Sequence, residues 1–163
     1  MKRVQRIALA GVLILIMRIV PVAAQQITIY NKSQSAGTDT GNSQVLSLDD
    51  ALKMPQETMR TSTNWTNEEL FRGVKMREML KHFGLYGKTI HFICYDGYDY
   101  RIPMSDVVKY DLLLAYERNG KRMTIKTLGP FALIYPRSKY PKELGGQDVD
   151  AKFIWMIKNI YVE

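Results

Sequence analysis

The sequence predicts a single α+β domain with more strand than helix, on three observations. Stretches rich in β-branched and aromatic residues recur along the chain, at residues 89–95, 112–116 and 131–135. Turn dipeptides, Asp96-Gly97 and Asn119-Gly120, separate such stretches at hairpin spacing. Helical signals are confined to short pieces, and no internal repeat or long linker divides the 163 residues.

Taken in order, the chain opens with positive residues Lys2, Arg3 and Arg6, an apolar run over residues 7–17, and the small residues Val22, Ala23 and Ala24. That order predicts a secretory signal peptide over residues 1–24, too short an apolar run for a stable bilayer span. Residues 25–46 begin with an alternating piece, Ile27 and Ile29, and continue through Asn, Ser, Gly and Thr; they are expected to form a flexible leader. The domain is expected over residues 47–163. Ser47 and Asp50 have capping spacing for a short helix ended by Pro55. Residues 58–66, rich in Thr and carrying Trp65, suit a strand running into a loop. Val74, Met76, Met79, Leu80 and Phe83 predict an amphipathic helix stopped by Gly84 and Gly87.

Residues 89–95 and the alternation Tyr98, Tyr100, Ile102 predict a strand pair about Asp96-Gly97. Ser105 and Asp106 open a helical turn, and the apolar run at residues 112–116 predicts a buried strand. Asn119-Gly120 joins it to a strand near residues 123–125; residues 131–135, between Pro130 and Pro136, form another, and residues 153–162 close the chain.

Charge excludes one class of partner. Removing the expected signal peptide takes Lys2, Arg3, Arg6 and Arg18 from 23 basic residues, which leaves a surplus of three over the 16 acidic ones. So small a surplus is no nucleic-acid footprint. Cys94 is the sole cysteine, so an intramolecular disulfide cannot form. His82 and His91 have no metal-ligand spacing, and an all-protein zinc or copper centre is not expected. His91 and Cys94 fall within a strand-like apolar alternation and read as structural, while Met104, Met123 and Met156 are scattered core fillers.

Several segments in order resemble the molybdopterin-binding domain of the sulfite oxidase family. Phe71-Arg72-Gly73-Val74 with Met76, Arg77, Met79 and Leu80 resembles the family's Gly-Val helix start. Asp96-Gly97-Tyr98 with Ile102-Pro103, the stretch Leu113-Leu114-Ala115-Tyr116-Glu117-Arg118-Asn119-Gly120, then Gly129-Pro130, Tyr135-Pro136 and Trp155 follow in the family's order. The resemblance implies a sulfite-oxidase-like fold with a mixed sheet and a few short helices. It also implies what is missing. Catalytic members bind molybdenum through a cysteine in a Cys-x-Gly-Asn-Arg-Arg segment, where this chain reads Arg60-Thr61-Ser62-Thr63-Asn64-Trp65-Thr66. An arginine that clamps the cofactor phosphate two residues past Gly-Pro is matched here by Ala132.

What the resemblance leaves is suited to a flat heterocycle with a polar edge. Trp65, Tyr95, Tyr98 and Tyr135 offer ring faces, and Asp96, Thr61, Thr63 and Asn64 offer hydrogen bonds; Arg60, Arg101 and Arg137 are either solvated or meet an anionic tail. The expected ligand-binding set is Arg60, Thr61, Thr63, Trp65, Asp96, Tyr98, Tyr135 and Arg137, with no catalytic or metal residue. The chain resembles short periplasmic members regarded as pterin-binding proteins, some of which act with membrane-bound enzymes of cyclic diguanylate signalling. The expectation is an exported, periplasmic pterin binder that is not an enzyme and signals to the periplasmic domain of such a partner. Two alternatives stay open: a molybdopterin-dependent oxidoreductase, and an interaction module without a small-molecule ligand.

Overall fold

The structure, a computed structural model, describes residues 25–32 and 43–163. The expected signal peptide over residues 1–24 lies outside them. Among the described residues, ten strands form two five-stranded sheets. In the first, β1 (Gln26–Asn31), β2 (Ser43–Ser47), β5 (Thr89–Cys94), β6 (Asp99–Pro103) and β10 (Ile157–Val162) lie in the order β2-β1-β10-β5-β6. Only β1 and β10 pair in parallel. In the second, β3 (Glu57–Thr61), β4 (Glu69–Lys75), β7 (Leu113–Arg118) and β8 (Lys121–Arg122) are consecutive neighbours, and β9 (Ala132–Ile134) also pairs with β7. Four short helices, α1 (Leu48–Lys53), α2 (Met76–His82), α3 (Met104–Tyr110) and α4 (Pro141–Leu144), connect them. This is the mixed α+β architecture that the sequence predicts.

One buried cluster draws side chains from both sheets, Ile27, Ile29, Phe92, Ile157 and Ile160 from the first and Phe71, Val74, Leu114 and Leu133 from the second. Alternation explains the inward set: in β1 every second residue, Ile27, Ile29 and Asn31, is buried. Burial of the Ile27 and Ile29 side chains, each worth roughly 1.5–3 kcal/mol, adds to the ladder pairing with β2 and β10 in holding the strand.

Two expectations need correction. The stretch at residues 25–46 is not a flexible leader at either end, because β1 is an interior strand between β2 and β10, and β2 pairs with it from Gln26↔Ser47 to Tyr30↔Ser43. The polar composition that predicts a loop is largely that of residues 33–42, outside the described residues. The helix expected from Val74 begins only at Met76, since residues 69–75 are strand β4 paired on both edges, with β3 and β7. Gly73 is what permits that pairing: a Cβ there would lie 2.1 Å from the Leu114 carbonyl oxygen. The hairpin expected at Asn119-Gly120 forms between β7 and β8, with Asn119 at φ 50° and Gly120 at φ 74°, the two positive values that a mirror-image two-residue turn requires. Its second strand is Lys121–Arg122, ahead of the expected residues 123–125, where a 3₁₀ turn, Ile125–Thr127, begins.

Candidate functional site

The loop between β3 and β4 is built by its threonines. Thr63 is buried, and its Oγ1 accepts the backbone N–H groups of Trp65 and Thr66, each at 3.1 Å. Thr61 Oγ1 accepts the N–H of Ser138 and ties the end of β3 to the segment after β9. Asn64 Oδ1 accepts the indole N–H of Trp155 at 3.1 Å. Three separate anchors therefore fix a short loop whose one large apolar side chain, Trp65, is 69% exposed. A rigid backbone holding an aromatic face out to solvent is suited to stacking on a planar ligand.

The turn between β5 and β6 supplies the opposing chemistry. Asp96 Oδ1 accepts the Tyr98 N–H at 3.0 Å, which orients the carboxylate and leaves acceptor capacity on it. Tyr98 stacks on Tyr100 with ring centres 5.9 Å apart and donates its hydroxyl to the Ala151 carbonyl at 2.8 Å. Partial burial, with Tyr100 beside it, raises the Tyr98 hydroxyl above the usual tyrosine range, so it stays a donor at neutral pH.

Between these two segments lies a cleft of about 400 Å³, lined by Asn64, Trp65, Asp96, Tyr98, Leu128, Asp150, Ala151, Phe153, Trp155 and Met156. Its size is that of a small-ligand site. Leu128 (φ 71°) and Met156 (φ 54°) are left-handed without being glycine, and they meet through the Met156 N–H on the Leu128 carbonyl at 3.2 Å. Each such residue costs about 1–3 kcal/mol, a burden that concentrates at binding sites. A larger groove of about 520 Å³, which Val45, Lys53, Met54, Glu78 and His82 help to line, holds none of the residues expected at the site.

Of the expected ligand-binding set, Trp65, Asp96 and Tyr98 come together in the cleft, with Asn64 beside them. Thr61 and Thr63 are buried supports of the loop. Tyr135 is fully buried, its hydroxyl on Asp106 Oδ2 at 2.9 Å and its ionisation pushed up by burial and that carboxylate. Arg137 lies behind the wall, with Nε on the Leu144 carbonyl at 2.7 Å, Nη2 on Asp150, and its guanidinium 4.6 Å from the Phe153 ring centre. Arg60 is exposed on β3 opposite Leu70, and Tyr95 lies beside the Lys158 ammonium. Neither Arg60 nor Tyr95 lines the cleft.

Sequence reasoning passes over the far wall, Leu128, Asp150, Ala151, Phe153 and Met156. Asp150 and Ala151 belong to a 3₁₀ helix, Gln147–Lys152, whose polar run reads as solvated surface. Cys94 is 3% exposed on β5 and does not line the cleft; burial, with Asp96 and Asp99 nearby, pushes its thiol up to about 12. Among the described residues, no group of three or more His, Cys, Asp or Glu could hold a metal ion.

A family model described as the oxidoreductase molybdopterin binding domain matches residues 36–140. Among curated proteins no relative matches. The fold is similar to that in the crystal structure of the sulfane dehydrogenase SoxCD from Paracoccus pantotrophus, with a TM-score of 0.61 at 16% identity. The likeness covers 88% of this chain and 39% of that one, so the chain spans well under half of its structural neighbour.

Proposed function

The chain belongs to the oxidoreductase molybdopterin binding domain family, and from that premise we propose that it is an exported, non-catalytic pterin-binding protein whose ligand state is read by a membrane partner. The family supports a pterin-type ligand, and the cleft divides that ligand into a part it fits and a part it does not. On this reading a pterin ring stacks on the aromatic faces of Trp65 and Tyr98, which both line the cleft, and turns its amino-pyrimidinone edge to Asp96. A carboxylate there accepts two N–H donors of that edge at once.

The metal end does not fit. The only sulfur nucleophile of the sequence, Cys94, is buried on β5 with its thiol held protonated, and the Arg60–Thr66 segment presents hydroxyl, amide and indole groups in place of a thiolate. The observation that carries the reading is this pairing of an exposed, braced Trp65 with Asp96 across a cleft that no cysteine enters. The rival, a molybdopterin-dependent oxidoreductase of the kind that holds its metal by a cysteine thiolate, finds no cysteine in the cleft lining.

Export to the periplasm rests on the basic, apolar and small-residue order of residues 1–24. A cyclic diguanylate enzyme with a periplasmic domain is the partner class we favour, because a binder without chemistry acts by changing what it docks to. Titration with neopterin, followed by heat release and quenching of tryptophan fluorescence, tests the binding: saturable quenching is expected, and no response at high micromolar ligand would overturn the proposal. Stoichiometric molybdenum in protein from its natural host would restore the rival.

A further inference from the structure

Resting on the pterin reading, we propose that the cleft selects pterins without a phosphate and discriminates against phosphorylated ones. The charged residues of its lining are Asp96 and Asp150, and the lining contains no lysine or arginine. None of the ion pairs among the described residues compensates Asp96.

Two cations behind the far wall, Arg137 and Lys152, are already committed. Arg137, with a side chain only 15% exposed, holds Asp150 and the Leu144 carbonyl and lies over Phe153. Lys152 holds Asp106 Oδ2 at 2.8 Å. Each already shares its charge with a carboxylate, so it offers an incoming phosphate less than a free cation would. At Ala132, where the family resemblance places a phosphate-clamping arginine, the side chain is a fully buried methyl on β9, opposite Ala115.

A phosphate monoester brings between one and two negative charges at neutral pH. Beside uncompensated carboxylate it is repelled, and the repulsion weakens with added salt. An uncharged polyol tail suffers neither effect. The ligand class is therefore a dephosphorylated pterin with a neutral side chain, a narrower class than the pterins at large and distinct from a cofactor gripped by its phosphate.

The test is parallel titration of the purified protein with neopterin and neopterin monophosphate at low and at about 0.5 M salt. Neopterin is expected to bind at least about tenfold more tightly at low salt, with the gap closing as salt screens it. Asp150→Asn removes a carboxylate and frees Arg137, so it is expected to narrow the gap at low salt. Equal binding of both ligands, or tighter binding of the monophosphate, overturns the selectivity and leaves the pterin site standing. A gap unchanged by both salt and Asp150→Asn overturns it too, because the discrimination is then one of shape. Failure of both ligands to bind at any salt overturns the pterin reading itself and the selectivity with it.

Discussion

Trp155 donates its indole N–H to Asn64 Oδ1 at 3.1 Å across 91 residues of sequence, and so joins the loop that carries Trp65 to the segment that closes the far wall. Asn64→Ala leaves a largely buried N–H without its acceptor, at a cost of about 1–3 kcal/mol. Urea unfolding is expected to register that loss, and pterin affinity is expected to fall with it because the loop loses one of its anchors. Full stability in Asn64→Ala would show that the bond does not brace the site.

Trp65 and Asp96 separate affinity from stability. Trp65 is mostly exposed, so Trp65→Ala is expected to leave the unfolding midpoint within about 0.5 kcal/mol of wild type while weakening neopterin by about two- to tenfold. Asp96→Asn keeps an oxygen to accept the Tyr98 N–H but loses the charged acceptor, which is worth about 1.5–3 kcal/mol in a charge-assisted bond. Affinity is expected to drop at least about tenfold in Asp96→Asn; wild-type affinity would remove Asp96 from the ligand edge.

The near wall of the cleft was legible in the sequence because local chemistry builds it. Thr63-Asn64-Trp65 and Asp96-Gly97-Tyr98 are turns whose side chains bond within two or three residues, so their form follows from adjacent letters. The far wall depends on partners distant in sequence. Asp150 faces the cleft through the Tyr98 hydroxyl bond to Ala151 and the Arg137 ion pair, and neither leaves a periodic signal. Strand β4 is hidden in the sequence for a related reason: its buried residues, Phe71, Gly73 and Val74, are set by pairing with β3 and β7 and pass without a break into the helical spacing of α2. β1 gives only a weak local signal because its six residues are held by a parallel pairing with β10, far along the chain.

Asp106 supports the far wall from beneath. Its Oδ2 accepts from the Tyr135 hydroxyl at 2.9 Å and from Lys152 Nζ at 2.8 Å, and Lys152 ends the 3₁₀ helix that carries Asp150 and Ala151. Asp106→Ala strands a buried hydroxyl and a half-buried ammonium, with an expected loss of about 1–3 kcal/mol in urea unfolding. Neopterin affinity is expected to fall as well, as the helix loses its anchor; unchanged affinity in a destabilised variant would confine Asp106 to the core.

Cys94 gives the molecule an alkaline limit. Its thiol rises from 9.0 to about 12 on folding, chiefly through burial, so the native state binds that proton more tightly than the unfolded state does. A group raised in this way contributes stability that is fully present below pH 9.0 and is lost as pH climbs toward 12. Tyr135, also raised by burial, adds to the decline above about pH 10, the ordinary tyrosine value. Urea midpoints are therefore expected to hold from pH 7 to 9 and to fall beyond, with a shallower fall in Cys94→Ala. The same proton affinity leaves little thiolate at pH 8, so alkylation by iodoacetamide is expected on the order of a thousandfold more slowly than for a free thiol. Rapid native-state alkylation would place the sulfur within reach of solvent, and with it the metal-ligand role that the cleft otherwise leaves unfilled.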